Sequence, residues 1–186
     1  MVAVHPVLAA GCGLYFRMIV LMAGLPGTGK STLACELAKR TGGVVLDKDA
    51  IRPALFPAGD IEFSSEQDDF CQHIMLLTAE YLLRRNPERV ILLDGRPFSR
   101  RYQIDDVIRS SNRVGTPWRI LECVCGEATA KERLGKGGHP AANRDFELYL
   151  AVRARFEPIE RKKTVIDTDR ELEKCVEEAL GSLLVA

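Results

Sequence analysis

The sequence predicts an α/β fold in which helices cover both faces of a five-stranded parallel sheet. From Met18 onward, short runs rich in Val, Ile or Leu alternate with helical patterns, which is typical of parallel strands buried on both faces. With 186 residues and no internal repeat, the chain has the length of one ordinary domain. We therefore expect a single domain at residues 18–186.

Five apolar runs are the predicted strands, at residues 18–23, 44–47, 89–94, 119–124 and 164–167. Helices are predicted between and after them, at residues 31–40, 64–85, 99–110, 146–156 and 171–184. In the longest helix, apolar side chains recur along one face: Phe70, Ile74, Leu77 and Tyr81. Ser64, followed by Gln67, is expected to cap the start of this helix.

The N-terminal residues 1–17 are predicted to be a disordered extension, and Met18 is an alternative start of translation. Residues 7–12 faintly resemble a lipoprotein cleavage site, but the basic and apolar regions of an export signal are missing. We therefore expect a cytoplasmic protein whose six scattered cysteines stay reduced. They form no paired CxxC knuckles of the kind that holds zinc.

The charge balance excludes attraction of the whole chain to a membrane or to nucleic acid. Lysine plus arginine number 26, and aspartate plus glutamate also number 26, so the net field is close to zero. An anionic ligand must therefore be bound by local charge.

A glycine-rich segment at residues 24–31 reads GLPGTGKS and matches the pattern GxxxxGK[ST]. It lies between the first strand and a helix, the context that a phosphate-binding P-loop requires. Glycines let successive N–H groups turn toward an anion, and the helix N-terminus adds its positive dipole end. The predicted nucleotide-binding residues are Gly24, Leu25, Pro26, Gly27, Thr28, Gly29, Lys30, Ser31 and Thr32. Together with the parallel sheet, this motif predicts a three-layer α/β/α P-loop NTPase fold with a small helical lid.

Two side chains of this segment have predicted chemical roles. Lys30 is expected to reach the β- and γ-phosphates of ATP, and the Ser31 hydroxyl to bind Mg²⁺. Asp94, which ends the apolar strand VILLD, is the second predicted metal ligand or else orients the acceptor. Gly95 is expected to let the chain pass close to a ligand.

A second group of charged residues follows the second strand, where ligands bind in open parallel sheets. Asp49 and Arg52 stand three apart and share a face if a helix begins there. Asp49 would then accept the proton of an incoming hydroxyl, and Arg52 would contact the acceptor. A helix-capping aspartate beside a surface arginine is the alternative. Asp47 competes with Asp49 for the role of base.

Further cations are expected at the acceptor and above the phosphates. Arg96 and Arg100 follow the third strand and are predicted to bind the acceptor. A lid at about residues 127–145 is predicted around the glycine-rich residues 135–138, because closure excludes water from the γ-phosphate. Arg133 is its predicted catalytic residue.

These motifs resemble those of the small P-loop kinases of the AAA-domain kinase family, which include polynucleotide 5'-hydroxyl kinases, chloramphenicol phosphotransferase and the zeta toxins. The resemblance extends over residues 18–170 and depends on GLPGTGKST, DKDAIR, LLDGRPFSRR and the later sequence ERL. It implies that Asp49 is the base, that Arg52 contacts the acceptor and that Arg133 acts on the donor phosphates. A second lid arginine is frequent in such kinases, whereas this chain has Lys136 and glycines there, so the second lid cation stays open.

The function predicted from all these features is transfer of the γ-phosphate of ATP, with Mg²⁺, to a hydroxyl acceptor. The acceptor is a polynucleotide 5' end or a small molecule, and the oligomeric state is open. A guanine reader of the NKxD type is missing after the fourth strand, where the chain reads CVCGE, and an AAA-type motor would require a longer chain. The alternative function is a regulatory or assembly ATPase without an acceptor.

Overall fold

The chain folds around a five-stranded sheet in which every strand pair is parallel, in the order β2-β3-β1-β4-β5. This computed structural model describes residues 17–136 and 145–184. The strands are β1 Met18–Ala23, β2 Val44–Asp47, β3 Val90–Asp94, β4 Trp118–Val124 and β5 Thr164–Asp167. The predicted sheet is confirmed. The predicted N-terminal extension, except for residue 17, lies outside the described residues.

The described helices are α1 Lys30–Thr41, α2 Lys48–Leu55, α3 Ser65–Arg85, α4 Arg101–Arg113, α5 Glu127–Gly135, α6 Phe146–Ala154 and α7 Leu172–Leu184, with a 3-10 turn at Ala58–Asp60. Two of them, α2 and α5, have no counterpart among the predicted helix ranges. α2 follows β2 without a linker and contains Pro53, so its eight residues carry no extended periodic pattern. α5 lies in the predicted lid, whose residues 137–144 are outside the described part of the chain.

The core lies in two layers on the two faces of the sheet. Alternate residues of β1 point to opposite faces, because side chains alternate along a strand, and all six are buried. One face packs against α1 and α7, and the other against α3 and α4. This arrangement is the predicted three-layer α/β/α P-loop fold.

Helix α3 is confirmed, but the apolar stripe that predicted it does not face the sheet. Phe70, Leu77 and Tyr81 are exposed by 49%, 45% and 59%. The face that packs against the sheet instead carries Met75, Leu76, Ala79 and Leu83. Periodicity located the helix but could not choose between its two apolar faces.

The carboxyl ends of the central strands converge at one edge of the sheet. The segment 24–29 follows β1, α2 follows β2, and Asp94 ends β3. Ser64 caps α3 beside this edge by accepting a hydrogen bond from the Gln67 N–H at 3.2 Å, as predicted. Within the described ranges, no helix is long and apolar enough to cross a membrane.

Candidate functional site

The segment 24–29 is shaped by three glycines with positive φ: Gly24 at 129°, Gly27 at 79° and Gly29 at 77°. Two of them are also required by close packing. A Cβ on Gly24 would lie 2.2 Å from the carbonyl oxygen of Cys123, and one on Gly27 would lie 2.9 Å from that of Ala130. The glycines therefore both set the loop conformation and let it fit against β4 and α5.

The N-terminus of α1 opens directly after this loop. Gly29 is the N-cap and provides no side-chain hydrogen bond to the first turn, so the N–H groups there suit an anion. Lys30 is buried and donates a hydrogen bond from Nζ to the Leu25 carbonyl at 2.7 Å. Thr32, which was predicted to bind nucleotide, is exposed on the helix.

A cleft lies between this loop, α2, the end of β3 and helix α6. It brings together the predicted residues Lys30, Ser31, Asp49, Arg52, Asp94 and Arg96. Arg100, Arg133 and Asp47 are not among its lining residues.

Four charged groups form a connected network on one wall of the cleft. Lys48 Nζ lies 3.0 Å from Asp49 Oδ1 and 2.7 Å from Asp68 Oδ1. Arg52 contacts the same two carboxylates, Asp49 at 3.5 Å and Asp68 in a shorter hydrogen bond. Lys48, Asp49 and Arg52 are buried, whereas Asp68 is half-buried on α3. Mutual pairing is what allows these charges to be removed from water.

Asp49 and Arg52 thus share a face of α2, as predicted. The Arg52 guanidinium also lies over the ring of Phe63, 5.0 Å from its centroid. Such stacking fixes the plane of a guanidinium. The pair is therefore held in one orientation, and it is not a surface arginine beside a capping acid.

Asp47 has the capping role instead. Its Oδ1 accepts a hydrogen bond from the Asp49 N–H at 2.9 Å at the start of α2. Burial raises the pKa of the Asp47 carboxyl, and the nearby Asp94 and Asp49 carboxylates raise it further, against the opposing effect of that hydrogen bond. The side chain lies under Gly95, where a Cβ would come within 2.3 Å of its Oδ1.

The absence of a side chain at Gly95 therefore lets the residues after β3 lie close to the start of α2. Its φ is 81°, and a Cβ would also meet the backbone nitrogens of Lys48 and Asp49 at 2.8 and 3.0 Å. The prediction was that this glycine brings the chain close to a ligand. The structure shows that it seats the start of α2 against the end of β3. Gly95 also lines the cleft, so its approach to a ligand stays a prediction.

Asp94 is almost completely buried, with 1% exposure, yet its Oδ1 accepts no hydrogen bond from the described residues. A buried carboxylate oxygen without a donor is costly unless a cation or a ligand faces it. The Ser31 hydroxyl lies in the same cleft. Because Mg²⁺ prefers a few protein oxygens together with water and phosphate, these two residues fit a magnesium site.

No group of three or more His, Cys, Asp or Glu that could hold a metal by itself occurs in residues 17–136 and 145–184. The cysteines described, which exclude Cys12, are all free thiols. Burial raises the pKa of Cys123 to about 12, so that thiol stays protonated at neutral pH.

Arg96 and Arg100 follow β3, but only one of them lies in the cleft. Arg96 is buried against the start of α3, where it contacts the Asp69 carboxylate and donates to Gln72 Oε1 at 3.0 Å. Arg100 pairs with Glu157 at 3.1 Å beside a different depression of the surface. The structure therefore does not bring Arg100 to the predicted acceptor site.

Arg133 lies on α5 next to the P-loop. Its guanidinium donates to the Thr168 hydroxyl at 3.0 Å and to the Thr168 carbonyl at 2.7 Å. A Cβ on Gly29 would be 3.4 Å from Arg133 Nη1, so the cation is adjacent to the glycine that precedes Lys30. Thr168 in turn donates to the Thr28 carbonyl at 3.0 Å, which ties this arginine to the loop.

Several lining residues carried no role in the sequence-based prediction: Lys48, Phe63, Asp68 and Arg155. Lys48 had a local signal, since it stands between two aspartates at a strand end. Asp68 and Arg155 had none, because they come from α3 and from the end of α6 and meet the site only through packing.

Solved structures of several kinases have the same fold. A gluconokinase from Sinorhizobium meliloti 1021 is 19% identical, with 91% of this chain and 92% of that chain covered and a TM-score of 0.65. The APS kinase CysC of Mycobacterium tuberculosis is 16% identical, with 90% and 96% covered and the same TM-score.

Kti12 of Chaetomium thermophilum is 15% identical, with 91% of this chain and 100% of that chain covered and a TM-score of 0.65. At these identities the likeness establishes the fold alone. No curated protein matches the chain significantly. The model of the family described as AAA domain matches residues 19–159. Since this is more than half of the sequence, the chain belongs to the AAA domain family.

Proposed function

We propose that this protein is a kinase that transfers the γ-phosphate of ATP to a hydroxyl acceptor. The observation that carries the proposal is the buried pair Asp49 and Arg52, which shares one cleft with Lys30 and Ser31 of the P-loop. A nucleotide hydrolase needs the phosphate-binding loop, whereas an acid and an arginine facing it suit an oriented acceptor.

On the donor side, the loop 24–29 and the first turn of α1 would bind the phosphates through N–H groups, and Lys30 would exchange the Leu25 carbonyl for phosphate oxygens. Ser31 and Asp94 would hold Mg²⁺. When bound, the metal ion neutralises the charge that develops on the phosphate oxygens. Arg133, already placed beside Gly29, would add a second positive charge.

On the acceptor side, a hydroxyl oxygen would attack the γ-phosphorus as the bond to the bridging β–γ oxygen breaks, which leaves ADP. Asp49 would accept the hydroxyl proton. Lys48 and Arg52 hold its carboxylate at the cleft wall, and Arg52 and Arg96 would contact the acceptor. We leave Arg100 out of this set because it pairs with Glu157 outside the cleft. Asp47 is occupied as a helix cap, which favours Asp49 as the base.

The comparisons support a nucleotide-dependent phosphotransferase in general. Two of the similar structures described above are a gluconokinase and an APS kinase, and the APS kinase was solved with AMPPNP and APS. The more specific likeness to polynucleotide kinases, chloramphenicol phosphotransferase and zeta toxins stays a prediction, as does a cytoplasmic location.

A regulatory or assembly ATPase without an acceptor is the second candidate. The observation that favours it is the equally good fit to Kti12, which was solved with ADP-AlF3. The two functions differ in whether ADP production depends on an acceptor.

ADP production from ATP and Mg²⁺ should be measured with and without 5'-hydroxyl oligonucleotides, nucleosides, sugars and sugar acids. We expect at least one acceptor to raise turnover. The variant Lys30→Ala should abolish turnover, whereas Asp49→Asn should lower transfer by about 100-fold or more and leave nucleotide binding intact.

The control is Asp106→Asn, an exposed carboxylate on α4 that pairs with Arg109. It should behave as wild type. Equal turnover with and without every acceptor would refute the kinase proposal and favour the ATPase. A full transfer rate in Asp49→Asn would refute the assignment of the base alone.

A further inference from the structure

If the proposed kinase function holds, the charged residues that line the cleft bear on whether the acceptor is neutral or anionic. Two lining residues, Lys30 and Asp94, belong to the donor side of the proposed site, as the phosphate-binding lysine and a metal ligand. Four further cations line the cleft: Lys48, Arg52, Arg96 and Arg155. The first two are paired with Asp49 and Asp68, and Arg96 with Asp69. Three of the four cations are thus already neutralised by carboxylates of the protein.

Arg155 is the exception. No Asp or Glu side chain of the described residues lies within ion-pair distance of its guanidinium. The undescribed residues 1–16, 137–144 and 185–186 contain no aspartate or glutamate at all, so no acidic side chain elsewhere in the chain is available for it. Two arginines close to it in sequence are paired, Arg153 with Glu127 and Arg161 with Asp105.

Arg155 is exposed, and it lines the cleft at the C-terminal end of α6. It follows the last turn of α6, and its backbone N–H bonds to the Val152 carbonyl at 3.2 Å. Val152 and Leu148, one and two turns earlier on α6, line the same cleft. Phe63, stacked on Arg52, is a further apolar lining residue. The cleft therefore offers apolar surface for a carbon skeleton together with one cation, Arg155, that pairs with no carboxylate of the described residues.

We propose that the acceptor is an alcohol that carries its own anionic group, a carboxylate or a phosphate, and that Arg155 binds this group while the hydroxyl faces Asp49. An arginine suits this role because its planar fork can donate two parallel hydrogen bonds to either anion. The paired cations Lys48, Arg52 and Arg96 would remain compensated by their own carboxylates, and the anionic group of the acceptor would balance Arg155.

The test compares alcohols that share a hydroxyl framework but differ in charge. Suitable sets are glycerol with glycerate and glycerol 3-phosphate, glucose with gluconate and glucose 6-phosphate, and a nucleoside with a 5'-hydroxyl dinucleotide. ADP production is measured at saturating ATP and Mg²⁺. We expect an anionic member of at least one set to have a higher kcat/KM than its neutral partner, and the carboxylate and phosphate arms show which anion is bound.

The variant Arg155→Gln should then raise the acceptor KM by roughly 10- to 100-fold and remove the preference for the anionic member, with the KM for ATP unchanged. Arg155→Lys should restore part of that preference. Arg109→Gln is the matched control, since Arg109 is an exposed arginine on α4 paired with Asp106, and it should have no effect. Thermal unfolding of each variant checks that the fold is retained.

Each contrary result has a separate meaning. Efficient transfer to neutral alcohols with no gain from an anion overturns the inference and leaves the kinase function standing. A rise in the KM for ATP, with the acceptor KM unchanged, makes Arg155 a cation of the donor side and also overturns it. Failure of every acceptor to stimulate turnover overturns both the inference and the proposed function.

Discussion

Replacement of Gly95 by alanine tests how the acidic end of β3 is fitted against α2. The backbone there has a φ of 81°, which costs an alanine about 1–2 kcal/mol. The new Cβ would lie 2.3 Å from Asp47 Oδ1 and 2.8 Å from the backbone nitrogen of Lys48. Neither neighbour can withdraw freely, because Asp47 caps the helix that Lys48 begins, so overpacking adds about 1–3 kcal/mol. We expect Gly95→Ala to lower the free energy of unfolding by about 2–5 kcal/mol.

Gly115→Ala is the matched control for this variant. Gly115 also has a positive φ, 61°, but a Cβ there would meet nothing within 4 Å. The loss should therefore be only the conformational cost, about 1–2 kcal/mol, and the entropy that alanine removes from the unfolded chain is the same in both variants. Urea denaturation at pH 7 gives the two free energies of unfolding by linear extrapolation.

The difference between the two variants isolates the close approach. If Gly95→Ala loses no more stability than Gly115→Ala, the contact between Gly95 and the start of α2 does not constrain the fold. We also expect Gly95→Ala to reduce phosphoryl transfer, because displacement of Asp47 and Lys48 would carry Asp49 with them.

Two further predictions concern buried carboxylates. Burial alone would raise the pKa of Glu80, but hydrogen bonds from Arg113 and Ser110 outweigh it, and the pKa is lowered below 4.5. This group therefore stabilises the fold above pH 4.5 and loses its contribution as the pH falls through the lowered pKa. Glu80→Gln should cost roughly 1–3 kcal/mol at pH 7, with a smaller difference from wild type in urea denaturation below pH 4. A difference that does not shrink would contradict the assignment. Asp94→Asn should raise the Mg²⁺ concentration needed for half-maximal turnover, because it removes the charge of a carboxylate whose Oδ1 has no donor among the described residues. An unchanged Mg²⁺ titration would remove Asp94 from the proposed metal site.

The agreement between sequence and structure is closest where the signal is local. The run GLPGTGKS predicted the loop and the start of α1, since its glycines and the adjoining strand and helix are contiguous in the chain. Asp49 and Arg52 were also placed correctly relative to one another, because three residues of helix bring them to the same face.

The sequence was a weaker guide to which side chains form the core and which charged residues pair with one another. The apolar stripe of α3 pointed to Phe70, Leu77 and Tyr81, whereas the sheet packs against the opposite face, which carries Met75, Leu76 and Leu83. Arg100 was assigned to the acceptor from its position after β3, but Glu157, 57 residues later, holds it elsewhere. Neither the buried face of α3 nor the pairing of Arg100 with Glu157 can be read from a periodic pattern.

The sequence by itself determined the strands, the parallel sheet and the P-loop, because strand hydrophobicity and loop glycines act over a few neighbouring residues. Only the tertiary structure decided which acid faces the cleft and which cations are neutralised there. Asp47 and Asp49 differ by two positions, yet one caps α2 and the other lines the cleft. Asp68 and Arg155 reach the same cleft from different helices, and the balance of charge between such groups depends on distances that exist only after the helices have packed.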